Sequence, residues 1–249
     1  METSVLICLL AAHILGDFFL QSARQAQGKA RLPVLAEHAL VHAILSYVLL
    51  GVWALYWLPA AVFISHAAID LVKSRAGPGS LRALLLDQGA HLAVLLPLAW
   101  LLSGSQASQD VFWVRVLGPA YLEALVLVSG FVVAVFAAGI AIMNAVQPYV
   151  RQLKAWRQTQ DQAGLEPRGL EHAGRLIGQL ERSLIFLFLL MGQPGGLGLL
   201  LAAKSILRIG QLKDTEERLQ AEYIILGTLM SFALGIAVAY GTMRCLAAL

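Results

Sequence analysis

Charge is what this sequence lacks. Only 13% of its 249 residues are Asp, Glu, Lys or Arg, while 59% are hydrophobic. A soluble domain of this length carries roughly twice that charge to cover its surface, so a water-exposed globule is excluded and apolar area must face lipid. Cysteine is nearly absent as well. Cys8 and Cys245 lie in apolar runs at opposite ends of the chain, which rules out a disulfide framework or a thiolate metal site and leaves two small buried hydrophobes. The N-terminus has no basic segment ahead of its apolar run, and that run contains His13 and Asp17. It is expected to be a retained span rather than a cleaved signal. No internal repeat, low-complexity tract or soluble domain stands out. Gly195, Gly196 and Gly198 do not follow a strand, which argues against a dinucleotide fingerprint. The net charge of +3 is concentrated in a few loops; it speaks for membrane topology and against a nucleic-acid partner.

What is present is a series of long apolar runs. A span needs about 20 apolar residues, and the candidates are 3–20, 36–57, 59–74, 83–103, 120–147 and 221–247. A further stretch, 183–203, is broken by Gly192-Gln193-Pro194-Gly195-Gly196. Each half is too short to cross alone, so a re-entrant helical hairpin is expected, with one kinked span as the alternative. The fold class is thus all-α: a polytopic membrane protein of about six transmembrane helices plus the hairpin. Two modules follow. Residues 1–103 form a four-helix module, and residues 104–249 a C-terminal module holding span 120–147, a loop over 150–180, the hairpin and the last span. Arg24, Lys29 and Arg31, then Lys73, Arg75 and Arg82, then five basic residues of the 150–180 loop mark three basic connections. The positive-inside rule places these in the cytoplasm and the N-terminus outside. Trp53, Tyr56 and Trp57 suit an interfacial aromatic belt.

Ionisable groups inside spans are costly and are functional candidates by default. Four consecutive spans carry eight of them at one spacing: His13/Asp17, His38/His42, His66/Asp70 and Asp87/His91. Residues four apart lie one above the other on a helix face, so each span offers a two-ligand stripe. The order reverses between antiparallel spans. Asp17, His38, Asp70 and Asp87 are therefore expected in a shallow layer near the cytoplasmic face, with His13, His42, His66 and His91 one turn, roughly 6 Å, deeper. Imidazole with carboxylate suits Zn²⁺ first, with Mn²⁺, Fe²⁺ or Ni²⁺ as alternatives. Eight ligands exceed one tetrahedral shell. Either two ions, or one ion with Asp in the outer shell holding the His tautomers, accounts for them. A polar network that only fixes helix packing is the competing account.

Around this constellation, Glu37, Asp17 and Asp87 are the acid–base candidates, although Glu37 lies about 100° around the helix from His38. Lys73 and Gln88 are candidates for holding a substrate, and Gln21 for orienting ligands. Lys204 and Arg208 either bind a phosphate headgroup or pair with Glu181 and Glu222. Gly227 and Ser231 suit a helix-packing face. His172 has no matched partner.

At these residues the sequence resembles a bacterial membrane family known as domain of unknown function 3307. The matching segments are His13-Ile-Leu-Gly-Asp17-Phe-Phe-Leu-Gln21, His66-Ala-Ala-Ile-Asp70-Leu-Val-Lys73 and Asp87-Gln88-Gly-Ala-His91. Further matches are Gly178-Gln-Leu-Glu181-Arg182, Lys204-Ser205-Ile-Leu-Arg208 and Glu222-Tyr-Ile-Ile-Leu-Gly227-Thr228. The resemblance implies a multi-pass protein of a bacterial inner membrane and brings no activity. A looser likeness is to inner-membrane proteins labelled metal-dependent hydrolases, without a shared motif long enough to transfer roles.

The expectation is a metal-dependent hydrolase with a metal-bound hydroxide nucleophile, acting on a lipid-linked or amphipathic substrate at the cytoplasmic leaflet. A divalent-metal transporter or sensor, or a structural protein with a buried polar network, would use the same residues. The lipid bilayer is the expected partner, and the sequence is open to a homo-oligomer.

Overall fold

The computed structural model describes residues 2–75, 80–104, 111–159, 173–209 and 215–249. Among them there are helices and turns but no strand. The chain divides into two compact units, Met1–Val132 with Arg244–Leu249, and Val133–Met243. The expected module boundary at 103/104 therefore falls inside the first unit.

The first unit begins with α1 (Glu2–Ile14), which runs into a π-helical turn over Leu15–Phe19. A capping box follows: the Ser22 side chain accepts from the Gln25 backbone N–H, and Gln25 reaches back to that of Ser22. Two donors that would otherwise lack partners are thereby satisfied, and α2 (Ala23–Gly28) can start there. α3 (Leu32–Leu50) begins with Pro33 in its first turn and stops at Gly51, whose φ of 64° is the left-handed geometry that favours glycine at a helix end. The free carbonyls of its last turn are taken by side chains: Trp113 Nε1–H donates to Val48 O at 2.7 Å and the Tyr121 hydroxyl to Leu49 O at 2.6 Å. α4 (Leu58–Arg75), α5 (Leu81–Ser103, capped by Ser80), α6 (Phe112–Leu117) and α7 (Ala120–Val132) complete the unit. α3 packs against α4 and α1, and α1 also touches α5 and α7. One end of this bundle has an apolar core, built from Val5, Leu9, Leu50, Leu58, Leu102 and Leu125 among others. The other end carries the ionisable groups.

In the second unit a π-helical turn over Val133–Ala137 leads into α8 (Ala138–Thr159). α9 (Ala173–Leu190) and α10 (Gly195–Ile209) form a hairpin whose turn has Gly192 at φ 66°. α11 (Thr215–Leu246) is the last helix. Ile185, Phe186, Leu189 and Ala239 form the unit's core. The stretch expected as a loop over 150–180 is helical at both ends, because α8 continues to Thr159 and α9 starts at Ala173. His172 lies outside the described residues, as do the side chains of Arg75 and Glu222. Cys8 is buried as expected, but Cys245 is exposed.

Four helical stretches among the described residues, not six, are long and apolar enough to cross a membrane: Leu32–Leu50, Leu81–Ser103, Ala120–Gln152 and Ile225–Leu246. The expected span at 3–20 falls short because its apolar helix covers only Thr3–Phe19. The expected span at 59–74 loses apolar character to Asp70, Lys73 and Arg75, all within one 18-residue helix. The surface supports a lipid-facing exterior. Leu40, Ile44, Ile64, Leu86, Trp100 and Leu101 are exposed, while all eight His and Asp groups are at most 7% exposed. That is the reverse of a water-soluble bundle.

Candidate metal centre

The paired i, i+4 groups of α1, α3, α4 and α5 converge in the first unit. His38 and His42 share a face of α3, and His66 and Asp70 a face of α4. Asp17 is presented differently. It sits inside the π turn closed by the Leu20 N–H to Leu15 O bond of 2.9 Å, a widened turn of the kind found at functional sites. Gly16, in the same turn, lies under the His42 imidazole, and a side chain there would collide with the ring.

Asp17 Oδ1 is the focus of the arrangement. His38, His42 and His66 bring Nε2 to 3.1, 3.3 and 3.6 Å from it. The rings of His42 and His66 are stacked, with centroids 3.6 Å apart, so both present nitrogen to the same oxygen. The Nε2 atoms of His38 and His66 are 3.2 Å from each other. A tetrahedral shell with bonds of about 2.0–2.1 Å has edges of about 3.3–3.4 Å, which is the spacing seen here. Hydrogen bonding alone does not satisfy this set. His38 Nε2 has Asp17 Oδ1, His66 Nε2 and the Gln21 amide nitrogen within 3.2 Å, yet a ring nitrogen carries one proton or one lone pair. If all three histidines donated to Asp17, the His38 and His66 protons would face each other. One cation among the four groups removes the conflict.

A second group adjoins the first. One ligand atom each from Asp70, Asp87 and His91 lie within 4.8 Å of one another, and His13, His66 and His91 form a similar set. Asp70 Oδ1, Asp87 Oδ1 and His91 Nε2 are buried without a hydrogen-bond partner. His42 Nε2 is also without one, since its approach to Asp17 is out of line for a hydrogen bond. Two lysines close this group. Lys29, carried at the end of α2, places Nζ 2.7 Å from Asp70 Oδ2, and Lys73 Nζ meets Asp87 Oδ2 at 2.5 Å.

Gln88 holds the two groups in register. Its amide nitrogen donates to Asp17 Oδ2 at 2.9 Å and Asp87 Oδ2 at 3.2 Å, and its oxygen faces His13 Nε2 at 3.1 Å. His13 is thereby the donor to Gln88, which gives it an orienting role beside the shell. A cavity of about 40 Å³ lies against His13, His42, His66 and His91, with Ser46 and Ser65 in its wall. It has room for about three waters.

The structure therefore brings His13, Asp17, His38, His42, His66, Asp70, Asp87 and His91 together. The shallow and deep layers interlock rather than stack separately, since His38 touches His66 across them. Other expectations need correction. Glu37 points away and pairs with Arg24 at 2.8 Å and Gln25 at 3.2 Å, because it projects from α3 on a different face from His38. Gln88 and Lys73 are engaged with the cluster itself. Lys204 belongs to the second unit and donates to Glu181 at 2.6 Å, so pairing takes up its ammonium; the Arg208 side chain lies outside the described residues. Sequence reasoning missed Gly16 and assigned Lys29 to topology alone. The capping box ahead of Lys29 is the signal that fixes its position. In the second unit, Arg182 was named in a matching segment without a role. It is 5% exposed, donates twice to Val135 O in the π turn (2.7 and 3.2 Å), and packs over Gly139 and Gly178.

Fold and site define a class: an all-helical protein with helices suited to a membrane and a buried His/Asp cluster of metal-ligating chemistry. Residues 5–117, which include all eight groups, match the family described as "Protein of unknown function (DUF3307)". Over this segment, which is less than half of the chain, the sequence is similar to that family. The match ends before the second-half segments 178–228, so those stand outside it. No curated protein and no solved structure matches the chain.

Proposed function

We propose that this protein is a metal-dependent membrane hydrolase, acting on a lipid-linked or amphipathic substrate from the cytoplasmic leaflet of a bacterial inner membrane. One observation carries the reading: three imidazole nitrogens meet one carboxylate oxygen at 3.1–3.6 Å in a way their own hydrogen bonds cannot satisfy. Asp17, His38, His42 and His66 would hold the ion, with Zn²⁺ the first expectation for such a donor set. When bound, the ion supplies acidification of water and polarisation of a phosphoryl or acyl oxygen. Gln88 and Gln21 would orient the ligands, and Asp87, whose Oδ1 has no hydrogen-bond partner, would accept a proton. In this topology the N-terminus is outside, α1 and α4 also traverse the bilayer beside the four apolar helices, and α9–α10 re-enter from the cytoplasmic side. Basic residues at 24–31 and 73–82 support that orientation.

The test is elemental analysis of detergent-purified protein beside a His42→Ala/His66→Ala variant, followed by phosphoester, ester and amide substrates. Metal lost in a folded variant, with turnover in the wild type, supports the reading. Bound metal without turnover on any lipid-like substrate would refute the hydrolase. A second reading, transport or sensing of a divalent ion, is favoured by the cavity beyond the histidine rings, lined in part by Ser46 and Ser65. Metal flux into liposomes separates the two.

A further inference from the structure

The group formed by Asp70, Asp87 and His91 has the donors for an ion of its own, with buried oxygen and nitrogen atoms left unpartnered. Its two carboxylates are instead met by ammonium groups. Lys29 Nζ is 2.7 Å from Asp70 in a contact where the side chains are 9% and 1% exposed, and Lys73 holds Asp87 from the rim. We infer that Lys29 and Lys73 take the place of a second metal ion, so that the centre is mononuclear. The inference rests on the metal reading above and settles a question that reading leaves open: one ion or two.

The charge balance supports it. Three buried carboxylates (Asp17, Asp70 and Asp87) face two lysines, which leaves one negative charge without metal. One divalent ion brings the set to plus one, a charge that a single anionic ligand or deprotonated water cancels. A second divalent ion would bring it to plus three among neutral imidazoles in an apolar bundle. Uncompensated buried charge of that size is strongly disfavoured. The lysines also take up one oxygen of each carboxylate: Lys29 lies against Asp70 Oδ2, and Asp87 Oδ2 receives both Lys73 and Gln88.

The experiment counts ions. Full-length protein in detergent is titrated with Zn²⁺, freed of excess, and measured for metal by mass spectrometry, beside a Lys29→Met/Lys73→Met variant. One equivalent is expected in the wild type and two in the variant. Two equivalents in the wild type, or one in a variant with an unchanged helical spectrum, overturns the inference while leaving the metal reading intact. No metal in either protein overturns both. Should the double variant fail to fold, the wild-type titration decides: saturation at one equivalent supports the inference and a second tight step overturns it. Lys29→Arg/Lys73→Arg keeps the charge and is expected to stay at one.

Discussion

The Asp17→Asn variant is the sharpest probe of the centre, because it keeps the shape of the residue that three histidines approach within 3.6 Å while removing its charge and one acceptor oxygen. An ion that binds the folded state stabilises it by RT ln(1 + [L]/Kd), about 2.7 kcal/mol when Zn²⁺ is at 100 times Kd. For a chain near 250 residues each kcal/mol moves the melting temperature by about 2–4 °C, so wild type is expected to gain about 5–11 °C. Loss of an outer-shell partner alone weakens metal sites about 10–100-fold, and losing the only carboxylate among the four close ligands should cost at least the upper end. At the same Zn²⁺ the variant then sits near its Kd, where the gain is about 0.4 kcal/mol, or about 1–2 °C. Without metal the substitution should not lower the melting temperature, since it takes a charge out of an apolar bundle. Thermal unfolding in detergent with and without Zn²⁺, Mn²⁺ and Fe²⁺ reads both. An equal shift in the two proteins would refute the placement of Asp17 in the shell; no shift with any ion in wild type would refute the shell itself.

Other substitutions separate the roles. Gln88→Leu leaves the four close ligands in place but frees His13, and metal affinity is expected to fall about 10–100-fold; Glu37→Gln, which touches only Arg24 and Gln25, is expected to leave it unchanged, and isothermal titration compares them. Gly16→Ala pushes a methyl group into the His42 ring, and overpacking of this kind costs about 1–3 kcal/mol, seen as a lower melting temperature together with weaker Zn²⁺ binding; wild-type behaviour would show that the π turn is not tightly packed there. In the second unit, Arg182→Leu removes two N–H donors from Val135 O, an expected loss of about 1–3 kcal/mol with the metal content unaltered. A change in metal content there would contradict a site confined to the first unit.

Much of the cluster was legible because charge is conspicuous in apolar runs. His13, His38, His66, Asp87 and their partners stood out as ionisable pairs in apolar runs, and the i, i+4 rule placed each pair on one face. What was not legible lies where the chain departs from regular helix. A 3.6-residue period puts Asp17 below His13, and the two stay within 3.8 Å, but the π turn of Leu15–Phe19 also brings Asp17 to His38, His42 and His66. Nothing in Leu-Gly-Asp-Phe-Phe announces that turn, in which Gly16 lies against a ring 26 residues away in sequence. Glu37 shows the complementary error. Adjacency to His38 suggested a role, but successive residues on a helix point about 100° apart, and Arg24 took the carboxylate.

The count of spans turns on the same distinction between composition and direction. Asp70 and Lys73 lower the mean hydropathy of α4 wherever they point, whereas α3, with its two histidines, remains apolar enough to cross a membrane. Asp70 is 1% exposed and held by Lys29, whereas Ile64 and Val72 on the same helix are 67% and 71% exposed. A helix that turns its charge inward and its branched aliphatics outward presents lipid with an apolar face whatever its average. Cysteine-scanning accessibility along 58–75 can decide this. Labelling by an impermeant reagent at both ends but not at Ile64 supports a membrane-embedded α4. Free labelling at Ile64 would place the helix outside the bilayer, and the shallow site would then open to water along its whole length.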